Sequence, residues 1–211
     1  MIAGTKYLHC PPGFQIRDML PGDINTAIMV HLRSFQGFFL SFLGPCFLKQ
    51  FYRNMVESPH GIALVICHGD EVVGFACGSD DTAQFYRDLI RTRWMKLSLA
   101  ALPAMIRRPS TALRLLRATF IKSKEANEKE APGELSSIAI HPDWEARGLG
   151  RALLLAFIED MRSTGKAELT LTTDRDNNER VNAFYLNSGF IPAGEEKTPE
   201  GRWLRRYTIK L

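Results

Sequence analysis

Two stretches of the chain hold residue types at spacings from which chemistry could be built. In the first, the apolar run Ile138-Ala139-Ile140 passes through His141-Pro142-Asp143-Trp144-Glu145-Ala146-Arg147 into Gly148-Leu149-Gly150-Arg151-Ala152-Leu153-Leu154, a strand pattern leading by a loop into a helical one. Glycines at 148 and 150 let the main chain come close to a ligand. The unpaired N–H groups of a first helical turn, with the helix dipole behind them, attract a diphosphate. Arg147 and Arg151 add positive charge at the same point. A Gly-x-Gly alone marks no more than a helix entry. Two other phosphate motifs fail on spacing: no G-x-x-x-x-G-K-[ST] occurs, and the third glycine of a dinucleotide fingerprint is missing. In the second stretch, Asn177 to Phe190, Asn178 precedes Tyr185 by seven residues. On a helix that is about two turns, so the two share a face. An isolated tyrosine there would ordinarily be a core anchor. His141, a lone histidine beside a proline, is a weaker candidate for proton transfer.

These residues need a scaffold, and the rest of the chain supplies one. With 211 residues, 45% hydrophobic and 24% charged, it suits a single domain that buries a core without disulfides or metal. Cys10, Cys46, Cys67 and Cys77 are scattered, with no C-x-x-C pair and no histidine cluster, which leaves metal and redox motifs unsupported. A net charge of +4 demands no nucleic acid. The start has no continuous apolar run, and no segment approaches the roughly 20 apolar residues of a spanning helix, so cytoplasm is the expected compartment.

Alternation at Phe14 to Arg17 predicts a strand, and Ile24, Ala27, Ile28, His31 and Leu32 recur at helical spacing. A second helical piece, broken at Gly44-Pro45, is expected within 37–56. Two apolar runs, Gly61 to Cys67 and Glu71 to Gly78, flank His68-Gly69-Asp70 and predict a hairpin. Further on come a strand at Leu135 to His141, a helix from about Gly148 to Ser163, a strand at Glu168 to Thr172, a helix from about Asn178 to Asn187, and a closing strand from Trp203 to Leu211. Strands and helices in this order imply a layered α/β arrangement.

The two chemistry-bearing stretches together resemble the GNAT superfamily of acyl-CoA N-acyltransferases. Its signature [QR]-x-x-G-x-[GA] is matched at Gly148 and Gly150, with Pro142 ahead of it, while Glu145 stands where Gln or Arg is usual. Asn178, Tyr185 and Gly189-Phe190 resemble the family's second segment. The resemblance covers residues 134–191 with specificity and implies one domain, 1–211, with a mixed, mostly antiparallel sheet carrying helices on both faces. It further implies that acetyl-CoA is the acyl donor, cradled by main-chain N–H groups from Arg147 through Gly148, Leu149, Gly150 and Arg151 to Ala152. In relatives the Asn helps hold the pantetheine arm, which falls to Asn178, and the Tyr hydroxyl protonates the departing thiolate, which falls to Tyr185. An amide among Ile138, Ala139 and Ile140 would hold the oxyanion, and Glu134 occupies the place where some relatives carry a general base. The activity implied is N-acetylation of a primary amine, on a small molecule or amino sugar by direct attack in a ternary complex. The alternatives are a protein lysine or N-terminal acetyltransferase and a non-catalytic acyl-CoA-binding module.

Between the hairpin and the Leu135 strand lies an insertion, 82–124, followed by a polar linker at 125–133. Arg87, Arg91, Arg93, Lys96, Arg107, Arg108, Arg114, Arg117, Lys122 and Lys124 make the insertion basic, with Asp88 as its one acid. Apolar spacing predicts two or three short helices interrupted at Pro103 and Pro109. Such a lid would suit an anionic acceptor or an anionic membrane surface; a solvated basic face is the plain reading.

Overall fold

The computed structural model describes residues 10–35, 38–107, 131–198 and 201–211. Seven strands form one sheet in the order β1-β2-β3-β4-β5-β7-β6: β1 (Phe14–Asp18), β2 (Gly61–His68), β3 (Glu71–Ser79), β4 (Gly133–Ile140), β5 (Glu168–Asp174), β6 (Ile191–Lys197) and β7 (Trp203–Lys210). Every neighbouring pair is antiparallel except β4 and β5.

Helices cover both faces, which explains the near-continuous apolar runs of β2 and β3, since a strand buried on both sides has no polar face to show. On one face α1 (Ile24–Ser34), the short α2 (Phe39–Leu43), α3 (Pro45–Glu57) and α4 (Thr82–Arg107) pack against Val65, Phe75, Cys77 and Ala139. On the other lie α5 (Leu149–Ser163) and α6 (Glu179–Asn187), against Leu64, Ile66, Val73, Leu135, Leu169, Leu171 and Tyr207. Leu149, Ala152, Leu153, Ala156, Phe157 and Met161 put the buried stripe of α5 at the i, i+3, i+4 spacing.

Two expectations need correction. Thr82–Arg107 is one helix of 26 residues with Pro103 inside it, not a run of short ones. A single proline costs a helix about 3 kcal/mol, and Leu97, Ala100 and Ala101, packed on the α1–α3 core just ahead of Pro103, help hold the chain helical. Arg93 also has an acid outside the insertion, Glu57 on α3. Arg108, Arg114, Arg117, Lys122, Lys124 and the Pro109 break lie outside the described residues. The second correction is β6, which the sequence did not announce. All seven of its residues are exposed, and it exists by pairing with β7 at the sheet edge.

Candidate active site

β4 and β5 pair over only three residue pairs, Gly133 with Leu169, Glu134 with Thr170 and Leu135 with Leu171. Beyond them the strands part. Ligands in α/β sheets settle where parallel strands separate at their carboxyl ends, and here the parting opens a cleft of about 650 Å³. One end is walled from the α5–α6 face by Glu145, Gly148, Gly150, Arg151, Asn178, Arg180, Phe184 and Tyr185. The other is walled from the α1–α2 face by His31, Ser34, Phe35, Phe38 and Leu40, with Thr198, Arg202 and Leu204 beside them. The cleft therefore runs through the sheet from one layer to the other.

The first end is shaped for an anion. Gly148 is the N-cap of α5 with φ 78°, a left-handed conformation that a side chain resists, and no side chain caps the helix. The Ala152 N–H is already bonded to the Gly148 carbonyl at 3.1 Å, so within the helix's first turn the amides of Leu149, Gly150 and Arg151 are left to a ligand. A Cβ on Gly150 would meet nothing closer than Ile140 at 3.8 Å and Phe184 at 4.0 Å. Protein packing therefore does not require a glycine there, and the space it leaves belongs to the cleft. Trp144 fixes the preceding loop, its ring lying against His68 (4.8 Å) and Phe14 (5.5 Å), with the Arg147 guanidinium 4.7 Å above it. Arg147 is thus stacked on that loop, and its side chain is not among the described residues lining the cleft.

In the middle, the His141 N–H bonds to the Val73 carbonyl of β3 at 2.7 Å. Amides alternate sides along an antiparallel strand, so those of Ile138 and Ile140 face the parting and that of Ala139 faces β3. Both nitrogens of His141 are engaged, Nδ1 by the Asp143 amide at 3.3 Å and Nε2 by Arg33.

Tyr185 is 6% exposed and lines the cleft, and its hydroxyl has no hydrogen-bond partner among the described residues. Burial pushes its phenol well above the ordinary value, so it stays protonated. The contrast with Tyr207, whose hydroxyl donates to Asn182 Oδ1 at 2.8 Å, marks Tyr185 as the tyrosine left free for a visitor. Asn178 is the residue before α6 rather than part of it. Its Nδ2 donates to Thr173 Oγ1 (3.0 Å) and the Asp174 carbonyl (3.1 Å), so it shapes the β5–α6 loop while lining the cleft.

Glu134 is not brought to the cleft: it sits where β4 still pairs with β5, and its Oε2 accepts from Thr82 Oγ1 at 3.2 Å. None of the described residues of α4 lines the cleft either. Sequence reasoning missed the far end. His31 Nδ1 lies 2.6 Å from the Tyr52 hydroxyl, its Nε2 is buried without a partner, and burial lowers its pKa to about 4. Arg202 is held by three bonds to Asp174, from Nε to Oδ1 at 3.1 Å and from Nη2 to Oδ1 and Oδ2 at 2.7 and 2.5 Å, and lies 4.6 Å over the Phe38 ring, closing that end between the β6–β7 hairpin and α2.

Residues 31–190 match the family described as Acetyltransferase (GNAT) family. Mycothiol acetyltransferase of Nocardia farcinica is 40% identical over 68 residues, which are 32% of this chain and 22% of that protein; the chain spans less than a quarter of that curated relative. Among solved structures, the ribosomal-protein-S18-alanine N-acetyltransferase of Escherichia coli has a TM-score of 0.58 at 18% identity, over 93% of each chain. The Salmonella typhimurium protein yncA, with its cofactor acetyl-CoA, has a TM-score of 0.55 at 14% identity, over 94% of each chain. These structures share the fold. With three quarters of its length matched, the chain belongs to the GNAT family of acetyltransferases.

Proposed function

We propose that this acetyltransferase moves an acetyl group from acetyl-CoA to the primary amine of a small acceptor, an amino sugar being the favoured class. The observation that carries this reading is the cleft that crosses the sheet, with anion-binding amides at one end and a closed, partly aromatic wall at the other. The diphosphate would lie on the amides of Leu149, Gly150 and Arg151. The thioester would then reach the parting of β4 and β5, where an Ile138 or Ile140 N–H faces the developing oxyanion. The amine enters from the His31 and Phe38 side and attacks the carbonyl in a ternary complex, so proximity supplies much of the rate. As the C–S bond breaks, the Tyr185 hydroxyl donates to the thiolate. Its raised pKa makes it a hydrogen-bond donor first and a proton source only as charge accumulates on sulfur.

Glu134, off the cleft wall, would take the amine proton only through intervening water. The name of the Nocardia relative agrees with a small acceptor, and so does the Arg202–Phe38 closure, which narrows the end that a peptide would have to enter. The test is thiol release from acetyl-CoA by the full chain across glucosamine, a phosphorylated amino sugar, a nucleotide amino sugar, spermidine and peptides, with the product weighed for one added acetyl. Turnover restricted to peptides would overturn the acceptor class. Binding of acetyl-CoA with no thiol release on any amine would favour a binding module instead.

A further inference from the structure

A carboxylate stands where the cofactor end of the cleft least needs one. Glu145 lies in the loop before α5, in extended backbone (φ −66°, ψ 167°) that its N–H ties to the Pro142 carbonyl at 3.2 Å. It lines the same mouth as the uncapped amides of Gly150 and Arg151. A free anion there would repel a diphosphate. It is not free: Arg180, in the first turn of α6, donates from Nη2 to Glu145 Oε2 at 2.6 Å, so the pair spans the mouth from one wall to the other.

The side chains are 80% and 40% exposed, and ion pairs so open to water hold their partners weakly. A diphosphate carries more charge than one carboxylate, accepts through several oxygens, and would sit against the positive end of a helix. We infer that Arg180 is a cofactor-phosphate ligand for which Glu145 is a displaceable placeholder, so that acetyl-CoA binds by taking the guanidinium from Glu145. This rests on the acetyl-CoA reading above and adds to it an exchange of ion-pair partners at the mouth. Glu145 then keeps Arg180 stretched across the entrance in the free protein and opposes the bound anion afterwards.

The two partners must therefore act with opposite sign. Glu145→Gln, which removes the competitor and the repulsion, should tighten acetyl-CoA by roughly 3- to 10-fold, and Arg180→Ala should weaken it by roughly 10-fold. Both sites are on the surface, so folding is not at issue, and a thermal melt checks it. Calorimetry with acetyl-CoA is compared with acetyl-pantetheine, which lacks the diphosphate; both effects should vanish with the shorter thioester, and the Glu145→Gln gain should shrink at high salt. A structural latch would instead make both variants bind more weakly, and that result overturns the inference, as do affinities within twofold of the parent or effects that persist with acetyl-pantetheine. A parent protein that fails to bind acetyl-CoA at all would refute the functional reading itself and this inference with it.

Discussion

The imidazole of His31 should make stability depend on pH in a way that a single substitution removes. His31 is 2% exposed, packed between Phe35 at 4.7 Å and Phe75 at 6.4 Å, with the Tyr52 hydroxyl as its ring's one hydrogen-bond partner among the described residues. Desolvation alone lowers its pKa from 6.5 to about 4. Between those values the unfolded chain binds a proton that the folded one refuses, so stability rises with pH across that window and is lost as pH falls from 6.5 toward 4. At about 1.4 kcal/mol per tenfold change in proton affinity, the window is worth about 3 kcal/mol. That is a large fraction of the 5–15 kcal/mol typical of a domain. Lowered carboxylate pKa values, as at Asp23, act in the same direction at more acid pH, so wild type alone cannot isolate the imidazole. His31→Gln can, since the amide does not titrate and still reaches a hydrogen bond with Tyr52. Urea unfolding of both proteins from pH 7.5 to 4 should show the wild type losing about 3 kcal/mol more than the variant. Parallel curves would refute the reasoning. They would mean that His31 protonates in the folded state near its ordinary pKa, with water reaching Nε2 from the cleft.

Gly150→Val should fold, because its Cβ has about 4 Å of clearance, yet weaken acetyl-CoA binding at least roughly 10-fold by filling the mouth between Ile140 and Phe184; unchanged affinity by calorimetry would remove the cradle assignment. Tyr185→Phe should cut turnover roughly 10- to 1000-fold with acetyl-CoA affinity within a few-fold. Since burial raises the phenol's pKa, wild-type activity should show no alkaline loss from this group below pH about 10, and equal turnover in the two proteins would return Tyr185 to core packing. Glu134→Gln should change turnover by less than about threefold across pH 6–9, its carboxylate being bonded to Thr82 away from the cleft; a selective loss at low pH would instead identify Glu134 as the amine's base.

The helix-mouth end of the cleft was legible because its parts are contiguous. Strand, loop, glycines and helix follow one another from Ile138 to Leu154, so local spacing carries the geometry. Tyr185 could be read only with the second segment beside it, since nothing in its own neighbourhood separates a free hydroxyl from an anchored one. Tyr207 is a buried tyrosine too, and its hydroxyl is spent on Asn182. The far end of the cleft was hidden for the opposite reason. His31 shows helical periodicity and reads as one more position on an apolar stripe, while Phe38 and Arg202 meet it from 7 and 171 residues away along the chain. β6 was invisible because a fully exposed edge strand containing Pro192 and Gly194 has no apolar alternation to show, and only the β7 ladder makes it a strand.

Glu134 shows how position in sequence and position in space come apart at the parting of the strands. A shift in the β3–β4 register between Cys77 and Gly78 comes just after Glu134 and Leu135, and the three-residue pairing with β5 ends at Leu135. Glu134 falls on the closed side of that point and Ile138 on the open side. Four residues along one strand thus separate a side chain held against α4 from an amide aimed into the cleft. Counting along a motif cannot see where two strands stop pairing, because that depends on β5, whose residues pair with β4 at three positions and with β7 along its whole length. The same parting that opens the cleft leaves the Glu134 carboxylate off its wall, so on the mechanism proposed above the amine's proton would pass to water, while His31 at the far end has the one unpaired buried ring nitrogen among the described residues.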